Sequence, residues 1–208
     1  MEPRIQEIFE EYHIRSEAEA KVLQNLVSLT PEEMHRRIDE FLICVGPATG
    51  SLINTIIKES KGRSILEVGT SYGYSTIWLA EAARETGGKV TTLEIHPGKI
   101  EFARKKVEKA GLGDYVDFRQ GDALSIIPEL SGNFDFVLLD LWKDLYVPCL
   151  NLIYPKLNPG ALIVADNIIH PESARKDALE YQKNIRSRKD ITSVLLPVGS
   201  GIELSRFC

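Results

Sequence analysis

The hydrophobic pattern changes period near residue 60. Up to about Ser60 the apolar positions recur at helical spacing, and the reading there is a set of leading helices. Thr30 before Pro31, with Glu33 three positions on from the threonine, predicts a helix start with an N-cap and a capping-box acid. VGPATG (Val45 to Gly50) interrupts the pattern before a further helix, SLINTIIKES. From Ser64 short apolar runs alternate with longer amphipathic ones. SILEV, KVTTLE, YVDFR, FDFVLL, ALIVA, TSVLL and GIELSR read as strands, and STIWLAEAARE as a helix. The stretch after KVTTLE carries Ile100, Ala103, Val107 and Ala110 on one stripe, which predicts a helix lying on the sheet.

Strands alternating with helices imply an α/β fold: a doubly wound, mostly parallel seven-stranded sheet with helices on both faces and extra N-terminal helices. A chain of 208 residues suits one domain, divided here as a helical cap over 1–60 and a core over 61–208. No repeat or low-complexity tract interrupts it. The 25 basic and 30 acidic residues leave a mild acidic excess, unlike the basic surplus of a nucleic-acid binder. No apolar run is long enough to span a bilayer, and the charged start lacks the plan of a secretory leader. Cys44, Cys149 and Cys208 are scattered without CxxC spacing, so free thiols in a reducing, cytoplasmic setting are expected. His13, His35, His96 and His170 form no cluster in sequence and receive no catalytic role.

In such a sheet, ligands sit at the carboxyl ends of the strands. Those ends are acidic in turn: Glu67, Glu94, Asp122, Asp140 and Asp166. One of them alone would be an ordinary loop acid or helix cap. A series on one rim points to a binding site, because buried carboxylates need partners.

The turn after the first strand reads Glu67-Val-Gly69-Thr-Ser71-Tyr-Gly73-Tyr74-Ser75. A dinucleotide loop needs glycine where Ser71 and Tyr74 stand, so a ligand without a pyrophosphate fits better. S-adenosylmethionine is such a ligand. Its carboxylate suits Ser75 and the N–H groups of the following helix. Glu94 is placed for ribose hydroxyls, and Asp122 for the adenine amino group.

LLDLWKDLY and VADNII end adjacent strands, which would bring Asp140, Asp166 and Asn167 together. Two carboxylates and an amide oxygen form a hard donor set that favours Mg2+ over zinc. Lys143 stands three residues beyond Asp140. Beside a metal and a sulfonium its pKa should fall, which suits a general base. Trp142 would offer its ring to cofactor or substrate.

VGPATG, ILEVGTSYGYS, TLEIHP, QGDA, LDLWKDLY, ADNIIHP and the terminal SGIEL together resemble the class I S-adenosylmethionine-dependent methyltransferases, within the cation-dependent group that includes catechol O-methyltransferase. The resemblance runs from about Ile43 to the C-terminus. It implies a Rossmann-like methyltransferase core and transfer of a methyl group to a hydroxyl of a small catechol-like or phenolic acceptor. It implies that Val45, Gly69, Ser71 and Ser75, in the turn that also holds Glu67 and Tyr74, hold the methionine part of the cofactor. Glu94 would then hold the ribose, and Asp122, Ala123 and Trp142 the adenine. Asp140, at the cofactor's edge, would bind Mg2+ with Asp166 and Asn167, and Lys143 would be the base. Glu203 would bond the acceptor's second hydroxyl, while Phe41, Ile43 and Pro171 would wall the acceptor that Lys143 and Asn167 touch.

Departures fall around the acceptor. Leu141 stands where catechol O-methyltransferase has a histidine, Phe41 replaces a tryptophan and Ile43 a methionine, and the stretch from Pro171 to Gly201 is shorter. Relatives in the group methylate caffeoyl-thioester phenols, flavonoids and a hydroxyuridine in tRNA. A tRNA methyltransferase is therefore the alternative, which the acidic balance disfavours. A non-catalytic cofactor-binding protein and a homodimer are further readings; an NAD-dependent oxidoreductase fails at Ser71.

Overall fold

A computed structural model describes residues 1–25, 37 and 40–208. The expected cap at Thr30, Pro31 and Glu33 lies outside the described residues. The chain forms two compact units, Met1–Cys44 and Val45–Cys208.

In the first unit, helix α1 (Pro3–Asn25) buries Ile5, Ile8, Phe9 and Tyr12, the one-sided spacing that an amphipathic helix requires. Glu19 ties this unit together: it accepts from Arg15 Nε at 2.6 Å and from the backbone N–H of Leu42.

The second unit is built on a seven-stranded sheet. It comprises α2 (Gly46–Ser60), β1 (Ser64–Val68), α3 (Tyr74–Thr86), β2 (Lys89–Glu94), α4 (Pro97–Lys109), β3 (Val116–Gln120), α5 (Ala123–Glu129), β4 (Phe134–Leu139), α6 (Tyr146–Ile153), β5 (Leu157–Ala165), α7 (Arg175–Arg186), β6 (Ile191–Leu196) and β7 (Ile202–Phe207). The strand order is β3-β2-β1-β4-β5-β7-β6. The pairs from β3 to β5 are parallel, and β7 runs antiparallel to both β5 and β6. The order reverses between β1 and β4, which is the crevice where such sheets take ligands. The expected doubly wound, seven-stranded fold is present.

The strands read from sequence are buried as parallel strands must be: Leu66, Val68, Val137, Leu139 and Ile163 are all at 0% exposure. The stripe of Ile100, Ala103, Val107 and Ala110 is buried as expected.

Two boundaries differ from the expectation by more than a residue. VGPATG does not interrupt a helix; it begins one, with Val45 as N-cap and Pro47 in the first turn, where its missing N–H is not needed. Gly50 persists inside that helix because a Cβ there would stand 2.3 Å from Nε1 of Trp78 on α3. The two helices are further joined by Asn54, which donates to the Trp78 carbonyl and to Glu81 Oε2. The fifth strand begins at Leu157, not Ala161. Asn158-Pro159-Gly160 reads as a turn, yet it is absorbed by an irregularity in the pairing of β4 with β5, a place where a missing N–H is tolerated.

Candidate active site

Each acid of the predicted rim is set by the strand beside it. The Asp140 N–H donates to the Val68 carbonyl at 2.9 Å, and the Asp166 N–H to Leu139 at 3.1 Å. The N–H groups of Gly69 and Thr70 both donate to the carbonyl of Leu93. The tips of β2, β1, β4 and β5 are thus pinned in sequence. Gly69 makes the middle of this row feasible. At φ 103 it lies so close to the end of β4 that a Cβ would stand 2.1 Å from the Asp140 carbonyl oxygen.

The turn after β1 is held from both sides. Ser71 takes the left-handed conformation at φ 47, which costs a non-glycine residue about 1–2 kcal/mol. Its N–H donates to Glu94 Oε2 at 2.7 Å, and the N–H of His96 donates to Oε1 at 2.9 Å. Glu94 is therefore fixed in orientation with further lone pairs to offer. Below the turn Glu67 is completely buried. It accepts from the hydroxyls of Ser75, Thr76 and Thr92, each at 2.6 Å. Burial pushes its pKa up to about 7 against those three bonds, with the Asp140 charge adding to the rise. Ser75 thus turns its hydroxyl down to Glu67. What the turn presents above it is main chain at the start of α3, where Tyr74 is buried. Asp122 is exposed and caps α5, accepting from Ser125 N at 3.0 Å and Ser125 Oγ at 2.8 Å; Ala123 opens that helix. Trp142, at the start of a single 3-10 turn, remains 42% exposed.

The β4 and β5 tips carry the reactive cluster. Lys143 Nζ donates to the Leu141 carbonyl at 2.9 Å, to Tyr146 Oη at 2.7 Å and to Asn167 Oδ1 at 2.9 Å. It also stands 3.6 Å from Asp140 Oδ1. Asn167 turns toward the lysine through a left-handed backbone at φ 55. Burial lowers the pKa of Lys143, and the charges of Asp140 and Asp166 oppose that fall without cancelling it. The acids respond in the opposite sense. Burial raises Asp140, which Lys143 partly counters. Asp166 is 1% exposed, and burial with the Asp140 charge pushes it up to about 7. Its Oδ1 is buried with no hydrogen-bond partner among the described residues. Two like charges and an unpartnered oxygen form a donor set short of one positive charge, which a hard cation would supply. The third oxygen is an amide, and among the described residues no cluster of three His, Cys, Asp or Glu side chains surrounds a metal position.

The family model described as O-methyltransferase matches residues 13–207. The chain belongs to the O-methyltransferase family. A catechol O-methyltransferase of Niastella koreensis is 37% identical over 131 residues, 61% of this chain and 59% of that one. Caffeoyl-CoA O-methyltransferase 1 of Eucalyptus globulus is 30% identical over 177 residues, 76% of this chain and 72% of that one. The chain spans 59%, 58% and 62% of the catechol O-methyltransferases of Niastella koreensis, Danio rerio and Bos taurus that it matches. A solved O-methyltransferase of Streptomyces achromogenes, involved in tomaymycin synthesis and in complex with S-adenosylmethionine, has a TM-score of 0.73 and 26% identity, with 95% of this chain and 98% of that chain covered.

Within the family fold, most of the expected residues fall into three groups. Glu67, Gly69, Ser71, Ser75, Glu94, Asp140, Lys143, Asp166 and Asn167 come together at the strand tips. Val45 is buried at the start of α2 and Pro171 is exposed beyond β5, in the same unit. Phe41 and Ile43 belong to the first unit, the former buried and the latter about half exposed.

Glu203 is corrected. It lies within β7 opposite Ala165, at 0% exposure, and faces α7 instead of an open mouth. Its carboxylate accepts from Arg186 Nε and Nη2, Gln182 Nε2 and Ser193 Oγ. Burial would raise its pKa, but the bonds from Arg186, Ser193 and Gln182 outweigh that and hold it below the usual range. No lone pair is left over for an acceptor hydroxyl.

Tyr146 is the site residue the sequence reading missed. Its hydroxyl reaches Lys143 and the carbonyls of Leu139 and Asp166, and burial keeps the phenol protonated. The available signal was its spacing, three residues beyond Lys143 at the start of a helix.

Proposed function

We propose that the chain is a magnesium-dependent O-methyltransferase that transfers the methyl group of S-adenosylmethionine to a hydroxyl of a small catechol-like phenol. The observation that carries this reading is the meeting of Asp140, Asp166 (its Oδ1 without a partner among the described residues), Asn167 and Lys143 at adjoining strand tips. Relatives named for catechol and for caffeoyl-CoA share a phenolic acceptor, which supports the phenol over any narrower choice. The formal charge of −5 speaks against tRNA as the acceptor.

In this reading Glu94 accepts from the ribose hydroxyls. The turn from Gly69 to Ser75, with Val45, receives the amino-acid end, and the carboxylates of Glu67 and Asp140 complement its positive charges. Asp122, Ala123 and Trp142 flank the adenine. Pro171 walls the acceptor. A reducing, cytoplasmic setting suits the three scattered cysteines without CxxC spacing, and the described residues contain no helix long and apolar enough to cross a bilayer.

Asp140, Asp166 and Asn167 would hold Mg2+, which when bound supplies Lewis acidity to the acceptor hydroxyls. A free phenol, with a pKa of about 10, is scarcely ionised at neutral pH. Lys143 takes the hydroxyl proton onto Nζ. S-adenosylmethionine, when bound, would supply its methyl group to the resulting oxygen, the carbon–sulfur electron pair staying on sulfur so that S-adenosylhomocysteine is the product. Burial lets Nζ exist as a neutral amine often enough to serve, while Asp140 stabilises the ammonium it becomes. The rest of the acceleration comes from alignment of oxygen, methyl and sulfur.

The test is an acceptor screen with methyl-labelled cofactor, run with Mg2+ and with chelator. Label transfer to catechols that needs the cation is the expected result. No transfer to any phenol, or transfer to tRNA alone, would overturn the assignment.

A further inference from the structure

We propose that Tyr146 is a positioning residue: its phenol oxygen, held by the main chain at the tips of β4 and β5, anchors Nζ of Lys143 beside the acid pair. The proposal rests on the reading of Lys143 as the base.

Tyr146 is fully buried at the first position of α6. Its hydroxyl carries one proton, and the carbonyls of Leu139 at 2.8 Å and Asp166 at 3.0 Å both compete for it. Whichever receives the proton, the side of the oxygen toward Lys143 is left to accept. Nζ stands there at 2.7 Å and must be the donor. The direction of that bond is thus settled by the two carbonyls.

The ring acts in the same sense. Nζ lies 4.6 Å from its centroid, within the range of a cation–π contact. The ring is held in turn by the edge of Tyr181, with centroids 5.4 Å apart. A lysine side chain is flexible and carries about 2 kcal/mol of rotamer entropy. The Leu141 carbonyl lies in its own turn and moves with it. Asn167 is assigned to the proposed metal set. Among the described contacts of Nζ, Tyr146 alone stands outside the proposed metal set and is tied to two strand tips at once.

A strut that merely joins the tips would make a different prediction from an anchor for Nζ, and a double-mutant cycle separates them. Tyr146→Phe, Lys143→Ala and the double variant are assayed for kcat, acceptor KM and cofactor affinity. In the wild-type background Tyr146→Phe should lower kcat about 10- to 100-fold, the scale of a small misplacement, with KM and cofactor affinity changed by less than about twofold. In the Lys143→Ala background it should lower kcat no further. An equal drop in both backgrounds, an unchanged kcat, or KM and cofactor affinity moving in step with kcat overturns the proposal alone. A Lys143→Ala enzyme with full kcat overturns the base reading and the proposal with it.

If Tyr146→Phe does not fold, the wild-type protein still answers. With lysines labelled at Cε, the Lys143 signal, identified by its loss in Lys143→Arg, should be displaced upfield by the Tyr146 ring. A signal at the position of an exposed lysine overturns the proposal.

Discussion

Lys143 and Asn167 are joined across 24 positions of sequence by one hydrogen bond, Nζ to Oδ1 at 2.9 Å. The bond closes the β4 tip onto the β5 tip, and it links the residue read as a base to one read as a metal ligand. With the bonds to Leu141 and Tyr146 it occupies all three protons of an ammonium. Release of the proton directed at Asn167 would free Nζ to accept one from a substrate.

From this arrangement Lys143→Ala should bind S-adenosylmethionine with unchanged affinity and lose about 10²–10⁴ in kcat, the range of a general base. Calorimetry and steady-state kinetics on a responsive phenol check the two halves. An unchanged kcat would remove Lys143 from the chemistry.

Chelation should abolish turnover and added Mg2+ should restore it. Asp166→Asn should then require a much higher Mg2+ concentration for half-maximal activity, since it neutralises the carboxylate whose Oδ1 lacks a partner among the described residues. Full activity in excess EDTA would sink the metal role.

The strand tips were legible in sequence because their chemistry runs against their surroundings. An acid at the end of an apolar run, as at Asp140 and Asp166, is costly enough to advertise a purpose. Ser71 in place of a glycine separated the turn from a dinucleotide loop for a local steric reason. Glu203 misled because its neighbours in space are far away in sequence: Arg186 and Gln182 come from α7, and only the packed sheet shows that they consume the carboxylate. Tyr146 stayed hidden because a buried tyrosine and a lysine anchor look alike in a string of letters. The extent of β5 was misread because Pro159 and Gly160 signal a turn locally, while pairing with β4 decides otherwise.

Glu203→Gln should destabilise the protein by about 1–3 kcal/mol, the cost of weakening a buried hydrogen-bond network, and leave the acceptor KM unchanged. Urea unfolding and kinetics decide it. A large rise in KM at full stability would return Glu203 to the acceptor site.

Glu67 gives the cofactor-free, metal-free protein a pH dependence of definite sign. Its folded pKa of about 7 lies above the ordinary 4.5. Between these values the folded state holds a proton that the unfolded chain has lost, so stability falls as pH rises through this window and levels off above it. Asp166 acts in the same direction. Glu67→Gln should flatten the fall by on the order of 2–3 kcal/mol, measured by denaturant unfolding from pH 4.5 to 8. Equal slopes for both proteins would show that Glu67 is ionised throughout.

Gly69 tests whether the close approach of two strand tips builds the cofactor turn. Gly69→Ala adds a methyl group 2.1 Å from the Asp140 carbonyl oxygen, at a φ of 103 that alanine rarely adopts. Gly46→Ala serves as the control, because it meets the same kind of backbone strain at φ 77 with nothing within 4 Å of the new carbon. Backbone strain alone should cost the control about 1–2 kcal/mol. Gly69→Ala should lose a further 1–3 kcal/mol or so, the usual price of overpacking, because the carbonyl in its way belongs to a hydrogen-bonded strand end and cannot rotate aside. Moving that strand end also moves Asp140, so S-adenosylmethionine affinity should fall for Gly69→Ala and hold for Gly46→Ala. Equal stability and equal affinity in the two variants would mean that the β1 turn and the β4 tip do not constrain each other in solution.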